Sequence, residues 1–264
     1  MRLEALKQGY SHPRFHPVLI TEVTRMKGGY FCAAGWNLKE GRIVRPMPPR
    51  AKNWRLHEGR VPFTPGQVVN CRAGKPREGE RILPHCNQDF FVAERPWVMR
   101  QLTEAELHEV MLETLDKGMR DVFGTELIEQ RYLIEGTGVR SLGGIKVQRR
   151  KLFFYHGDDR LRLHLIDGRG HGHDLAVTCD TLSHYFSPRG EEWDLHLSER
   201  EANEWLELND PEDWIILRIG LARGWAGPDQ DWQPRRCYAQ LNGLICPRDN
   251  WGAFLRTDEL HKQS

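Results

Sequence analysis

The 264-residue chain carries 38 Lys and Arg against 37 Asp and Glu, and a net charge of +1 gives no whole-molecule argument for a polyanionic partner. At 39% apolar and 28% charged it is lean in hydrophobic side chains yet outside the composition of a disordered chain, and its length suits two domains of ordinary size. No apolar run nears the roughly 20 residues of a membrane span, the opening MRLEALKQGYSHPRFHP lacks the apolar core of a secretory signal, and six scattered cysteines read as reduced thiols; the expectation is a cytoplasmic protein with no membrane partner.

Along the chain, Val18 to Thr24 reads as a strand, Gly28-Gly29 as a tight turn and Tyr30 to Trp36 as the antiparallel return. A second turn, Asn37 to Gly41, leads to a short strand from Arg42 to Arg45, expected to stop at Pro46, which has no N–H for a ladder. Residues 46 to 65 form a proline-rich basic loop, after which Gln67 to Cys71 and Asp89 to Ala93 resume strand character. Thr103 with Glu106 makes a capping box, and Leu107, Val110, Met111 and Leu115 recur at helical spacing, so a helix is predicted over 104–117. Further strands are expected at Tyr132 to Ile134, Ile145 to Gln148, Leu152 to Tyr155, Leu161 to Ile166, Asp174 to Cys179, Ile215 to Ile219 and Tyr238 to Ile245. Ser198 with Glu201 offers a second capping box, opening a short acidic helix through Trp205 and Leu206. Repeated short strands separated by turns predict a mostly β barrel or sandwich.

Charge is segregated within this neutral total. Between Arg42 and Arg60 the basic residues Arg42, Arg45, Arg50, Lys52, Arg55 and Arg60 face only Glu58, and Trp36, Trp54 and Phe63 interleave with them. Cations for phosphates and aromatic faces for bases are the two ingredients of single-strand binding; the alternative is a solvated loop whose tryptophans anchor it to the core. Arg140 to Lys151 adds a second basic stretch with no acid, from which Lys146, Arg149 and Arg150 are candidate contacts unless the segment is simply a hairpin tip. Glu191 to Trp214 holds ten carboxylates and one arginine, a surface suited to a protein partner docking on residues 191–214 through Trp193, Trp205 and Trp214.

No complete catalytic motif is present. His171, His173 and Asp174 in Gly168 to Asp174 allow a metal or phosphate-loop reading, but the spacing of a zinc site and the ending of a P-loop are both missing, and a hairpin turn accounts for the glycines. His85 and Cys86 are neighbours that a strand would turn to opposite faces, and Asp158-Asp159 reads as a turn. No catalytic residue, metal or cofactor is therefore expected.

Leu19-Ile20-Thr21-Glu22-Val23-Thr24, Cys32-Ala33-Ala34-Gly35 and Gly41-Arg42-Ile43-Val44-Arg45-Pro46 are followed in order by Pro84-His85-Cys86-Asn87-Gln88-Asp89, Leu175-Ala176-Val177-Thr178-Cys179-Asp180, and Ile219-Gly220-Leu221-Ala222 leading to Tyr238-Ala239-Gln240-Leu241-Asn242-Gly243-Leu244-Ile245. This succession resembles prokaryotic proteins built on a dual OB-containing domain. The resemblance implies a mostly β fold of two OB-like small barrels joined by a helical connector: a first barrel over 17–100, the connector over 101–131 and a second barrel over 132–250 with an acidic helical insert. Nucleic-acid or nucleotide binding is the role it implies, with no catalytic residues to carry over; Cys179 interrupts an expected Thr-Asp pair, and the insert at 190–213 has no counterpart in the family pattern. Three readings stand: a non-catalytic binder of single-stranded or structured DNA or RNA, a protein-interaction adaptor, and a nucleotide- or nucleic-acid-processing enzyme with a scattered site.

Overall fold

Strands β1 (Phe15–Met26) and β2 (Tyr30–Asn37) form the expected hairpin, turning at Gly28 and Gly29, whose φ angles of 75° and 73° favour glycine. Residues 3–10, 14–26, 28–49, 53–55, 62–76, 83–182, 195–207, 212–226 and 234–246 are described by the computed structural model of the protein. They fall into two units. The first takes the described residues of Met1–Ile82 with Gln88–Thr114, and the second takes Leu83–Asn87 with the described residues of Leu115–Cys246.

In the first unit, helix α1 (Leu3–Gln8) precedes β1 and β2, followed by β3 (Arg42–Met47), β4 (Trp54–Arg55), β5 (Gln67–Arg72), β6 (Asp89–Phe91), β7 (Trp97–Gln101) and helix α2 (Glu104–Leu112). The sheet order is β6-β3-β2-β1-β5-β7, with β4 also on β2. Its ladders are antiparallel except β3 with β6. Beyond the end of β5, Ala73 bridges Val92, with Gly74 N–H donating to Phe91 O (2.7 Å) and Ala93 N–H to Arg72 O (2.9 Å). Contrary to expectation, β3 runs on through Pro46 to Met47. The parallel pairing there is carried by Arg45 N–H to Gln88 O and Val92 N–H to Met47 O, and asks no N–H of the proline.

Val18, Ile20, Phe31, Val44 and Val69 are fully buried in this unit's core, each contributing about 1.5–3 kcal/mol. Between Ile20 and Glu22 the β1–β2 register shifts, and there Gly35 lies so close to β1 that a Cβ would sit 2.0 Å from Leu19 O.

The capping box forms as expected: Glu106 N–H donates to Thr103 Oγ1 (3.3 Å) and Thr103 N–H to the Glu106 carboxylate (2.9 Å). The helix nevertheless ends at Leu112, short of 117, because the Thr114 N–H and hydroxyl both turn back onto Met111 O (3.0 and 2.9 Å). The connector expected over 101–131 is not a separate element. Its first helix buries Leu107 near Gly66 of the first unit, while helix α3 (Met119–Phe123) packs on the second unit's sheet.

The second unit contains α3, β8 (Tyr132–Ile134), β9 (Leu142–Gln148), β10 (Leu152–Gly157), β11 (Arg160–Ile166), β12 (Gly172–Val177), helix α4 (Leu195–Glu207), β13 (Trp214–Leu221) and β14 (Arg236–Ile245). Its order is β10-β11-β12-β14-β13-β9, with β8 also on β14; only β12 and β14 pair in parallel. The two ends of this order, β9 and β10, are consecutive in the chain, joined by the single turn Arg149–Lys151. Helix α4 begins three residues before Ser198, so that residue is a buried interior position and not the expected N-cap. The acidic helix spends polar groups on β10: Asn203 accepts from Phe154 N–H (2.9 Å) and donates to its carbonyl (2.8 Å), and Glu199 accepts from His156 N–H (2.8 Å).

Buried Asp167 ties α3 to this sheet, accepting from the N–H groups of Met119 (3.1 Å), Arg169 (2.9 Å) and His171 (3.1 Å). Burial pulls its carboxyl pKa up, but these backbone donors and nearby His173 outweigh it and hold the pKa below the ordinary 3.8. The stabilisation is therefore complete above 3.8 and is lost as pH falls through the lower folded value. Asp167→Asn is expected to lower the urea midpoint at neutral pH and flatten its decline in acid. An unchanged acid limb would show that this carboxylate does not couple protonation to folding.

Candidate nucleic-acid interface

Strand β11 reads Arg160-Leu161-Arg162-Leu163-His164-Leu165, and in a pleated strand this alternation sends Leu161, Leu163 and Leu165 into the core and the polar set to the other face. The same holds on β14, where Cys237, Ala239 and Leu241 are buried between Arg236, Tyr238 and Gln240, and on β12 around Ala176. Register aligns these faces: Tyr155 of β10 pairs with Arg162, Arg162 with Ala176, and Ala176 with Gln240. The small Ala176 side chain leaves a depression in that row.

A pocket of about 620 Å³ opens there, with Arg162, Ala176, Tyr238 and Gln240 on its floor. Three segments wall it: Glu129 and Arg131, Asp158 and Arg160, and Ala222, Arg223 and Trp225, with Arg236 beside the last. Five arginines thus meet two carboxylates among the lining residues, a positive field that low-dielectric walls concentrate.

The guanidinium groups are held in place by the chain itself. Arg162, whose side chain is 6% exposed, donates to Tyr155 Oη (3.1 Å), the Asp158 carboxylate (3.2 Å) and Asp174 O (3.2 Å). Asp158 and Asp159 both take positive φ (53° and 54°) in the tight turn that presents Asp158 to it, in line with the turn reading of this pair. Arg131 lies 3.5 Å from Asp174, which also meets His164 Nδ1 at 2.9 Å. Burial raises the Asp174 pKa, but His164 and Arg131 pull it below the usual carboxylate range, keeping it ionised as an anchor. Arg236 lies over the Tyr132 ring, 4.5 Å from its centroid, and the Tyr132 and Tyr238 rings are 5.5 Å apart. Trp225, held by paired backbone hydrogen bonds to Arg236 (3.0 and 2.9 Å), is 57% exposed and offers a stacking face.

The residues picked from sequence are dispersed by comparison. Arg50, Lys52 and Arg60 lie outside the described residues. Exposed Arg42 pairs with Glu40 (2.6 Å), Arg45 with Asp89 (2.6 Å), and Arg55 lies over the Tyr30 ring and donates to its hydroxyl (3.0 Å). Trp36 is half-buried on β2. Trp54 donates to Pro46 O (2.8 Å) and packs against Phe31 and Phe63 on the first unit's core, so it follows the anchoring alternative for its loop. Lys146 lies over the exposed Trp214 ring (4.9 Å), and exposed Arg150 pairs with Glu212 (2.8 Å).

Arg149 must be removed from the set. It is 1% exposed, with its guanidinium 4.8 Å from the Trp205 ring centroid and donating to Trp205 O (3.4 Å) and Cys246 Sγ (2.9 Å). The same packing corrects Trp205, which is buried and gives a docking partner no surface, while Trp193 lies outside the described residues. His173 turns to Asp167 (3.4 Å) and its neighbour Asp174 to His164 and Arg131, so with exposed His171 they do not converge. Among the described residues no group of three or more His, Cys, Asp or Glu is arranged to hold a metal. His85 is buried, its Nδ1 accepting from Gly136 N–H (3.1 Å), and burial pushes the Cys71, Cys179 and Cys237 thiols up to about 12, about 11 and about 12. No helix of the described residues is long and apolar enough to cross a membrane. Comparison with protein-family models, with curated proteins and with solved structures finds no match to the chain.

Proposed function

We propose that the chain is a non-catalytic nucleic-acid-binding protein that holds single-stranded segments on the outer face of β11, β12 and β14. The observation that carries this reading is the pocket in which Arg131, Arg160, Arg162, Arg223 and Arg236 surround the Trp225 and Tyr238 rings. Guanidinium groups neutralise phosphates and release counterions, and exposed aromatic faces stack bases of any sequence.

Connectivity supports an OB-like reading of both units. Counted as five strands in the second unit, β9 with β10 is the first, and β11, β12, β13 and β14 follow; the third and fifth are parallel, and the first pairs with both the second and the fourth. Helix α4 stands between the third and fourth strands. In the first unit β1, β2, β3, β5 and β6 repeat this scheme, with the Ala73–Val92 bridge joining the last two. OB-type barrels bind on the face of their second and third strands, between the loop after the first strand and the loop after the fourth. Here those features are β11, β12, Asp158 to Arg160 and Ala222 to Trp225, the surroundings of the pocket.

The test is oligonucleotide binding measured at several salt concentrations. Replacing exposed Arg160 and Arg223 by Ala should weaken binding of a single strand and reduce the logarithmic salt slope by about 0.7 for each phosphate left without its cation. An unchanged slope in the folded double variant would remove this face from the interface.

A further inference from the structure

The pocket differs from an open strand-binding groove at one end. Residues Ile128 to Arg131 form a reverse turn, with Glu129 and Gln130 at φ 51° and 61°, inserted where β12 and β14 diverge. The turn is fixed from both sides: Gln130 O accepts from Asp174 N–H (3.2 Å), and Arg131 O accepts from Ala239 N–H (2.8 Å). Glu129 and Arg131 thus form a standing wall across the face, added to those of Asp158 to Arg160 and Ala222 to Trp225. An internal stretch of strand needs two exits. A walled space of about 620 Å³ instead suits one or two nucleotides at a terminus.

Charge points the same way. A phosphodiester carries one negative charge, whereas a terminal phosphate monoester carries about −1.5 to −2 at pH 7 and offers three acceptor oxygens. Five arginines against Glu129, Asp158 and the Asp174 carboxylate that Arg131 meets still leave more positive charge than a single diester draws on. At the floor, the three hydrogen bonds made by Arg162 use three of its five N–H donors and leave one on each terminal nitrogen, a pre-set fork for two oxygens of one phosphate. Being 6% exposed and braced by Tyr155 and Asp158, it loses little freedom when it engages.

Resting on the nucleic-acid reading above, we infer that this pocket takes the phosphorylated end of a strand, with the terminal phosphate monoester among Arg131, Arg160, Arg162 and Arg223 and a terminal base against Trp225. Fluorescence anisotropy with one short single strand in several forms tests this: 5′-phosphorylated, 3′-phosphorylated, hydroxyl at both ends, and closed into a circle, with a nucleoside monophosphate as a further competitor. One phosphorylated linear form should compete about tenfold or more better than the hydroxyl-ended strand, the circle or the mononucleotide, as expected for an added charge-assisted bidentate interaction. Which form wins assigns the end. Arg162→Lys, which keeps the charge but not the fork, should erase that preference, bringing the phosphorylated forms down to the level of the circle. Because Arg162 also braces the wall, Arg223→Gln on the exposed rim is the companion variant and should narrow the preference without affecting folding. Equal competition by the circle overturns the inference and leaves nucleic-acid binding standing; a mononucleotide as good as the phosphorylated strand overturns the strand-end reading; failure of every form to bind removes both proposals.

Discussion

Gly35→Ala is expected to destabilise the first unit by about 3 kcal/mol or more, at the upper end for overpacking, because the added Cβ has nowhere to go. It would lie 2.0 Å from Leu19 O, 2.8 Å from Leu19 C and 2.9 Å from Ile20 Cα, all of them backbone atoms. Side chains can rotate out of a clash, but β1 is held by ladders to β2 on one side and β5 on the other. Against a stability of about 5–15 kcal/mol for an ordinary domain, such a loss is a large fraction. Urea unfolding followed by circular dichroism should show a component shifted to lower denaturant. A profile matching the wild type would mean that the strands separate at this crossing at little cost.

The second large effect is expected at Arg149. Truncation to Ala empties the space beneath Trp205, strips the donors from Trp205 O and Cys246 Sγ, and should cost about 3 kcal/mol. Arg149→Met refills most of that volume and should recover the packing part of the loss, while Trp205 O and Cys246 Sγ still lose those two donors. Neither variant should change the salt slope of oligonucleotide binding while folded. A variant that keeps wild-type stability but loses part of that slope would return Arg149 to the interface.

Arg149 also shows where reading the sequence reaches its limit. In Arg149-Arg150-Lys151 three cations in succession read as nucleic-acid contacts or a hairpin tip, exposed either way, yet the turn sends the first into the core and leaves Arg150 outside. Direction within a single turn is set by how β9 bends into β10, which no local pattern encodes. Apart from β4 and β7, the strands were legible because alternation and glycine turns act locally, as at Gly28-Gly29, and the Thr103–Glu106 box marks a helix start in the same local way. The pocket had a signal too, in Arg160-Leu161-Arg162-Leu163-His164-Leu165. A search for runs of charge passes over it, since a half-buried strand dilutes its cations with core leucines. That Arg162 and Gln240 share one row depends on the parallel pairing of β12 with β14, an encounter of distant segments that residue types alone do not specify. In the basic loop, likewise, Trp54 had two roles open to it, and the Phe31 and Phe63 rings decided between them.

Strand β14 is the common partner of β8, β12 and β13. Before it is in place, the second unit's ladders amount to two fragments, β10-β11-β12 and β13-β9, and β8 has no strand to pair with among the described residues. During synthesis these fragments emerge first, so β12 and β13 each present a row of unsatisfied N–H and C=O groups until Ile245 has left the ribosome. In the first unit β3 waits likewise for β6, over a shorter stretch of chain. A chain broken off between β13 and β14 would keep those edges permanently open, and edge-to-edge association of such fragments is the failure that the last strand of the sheet prevents.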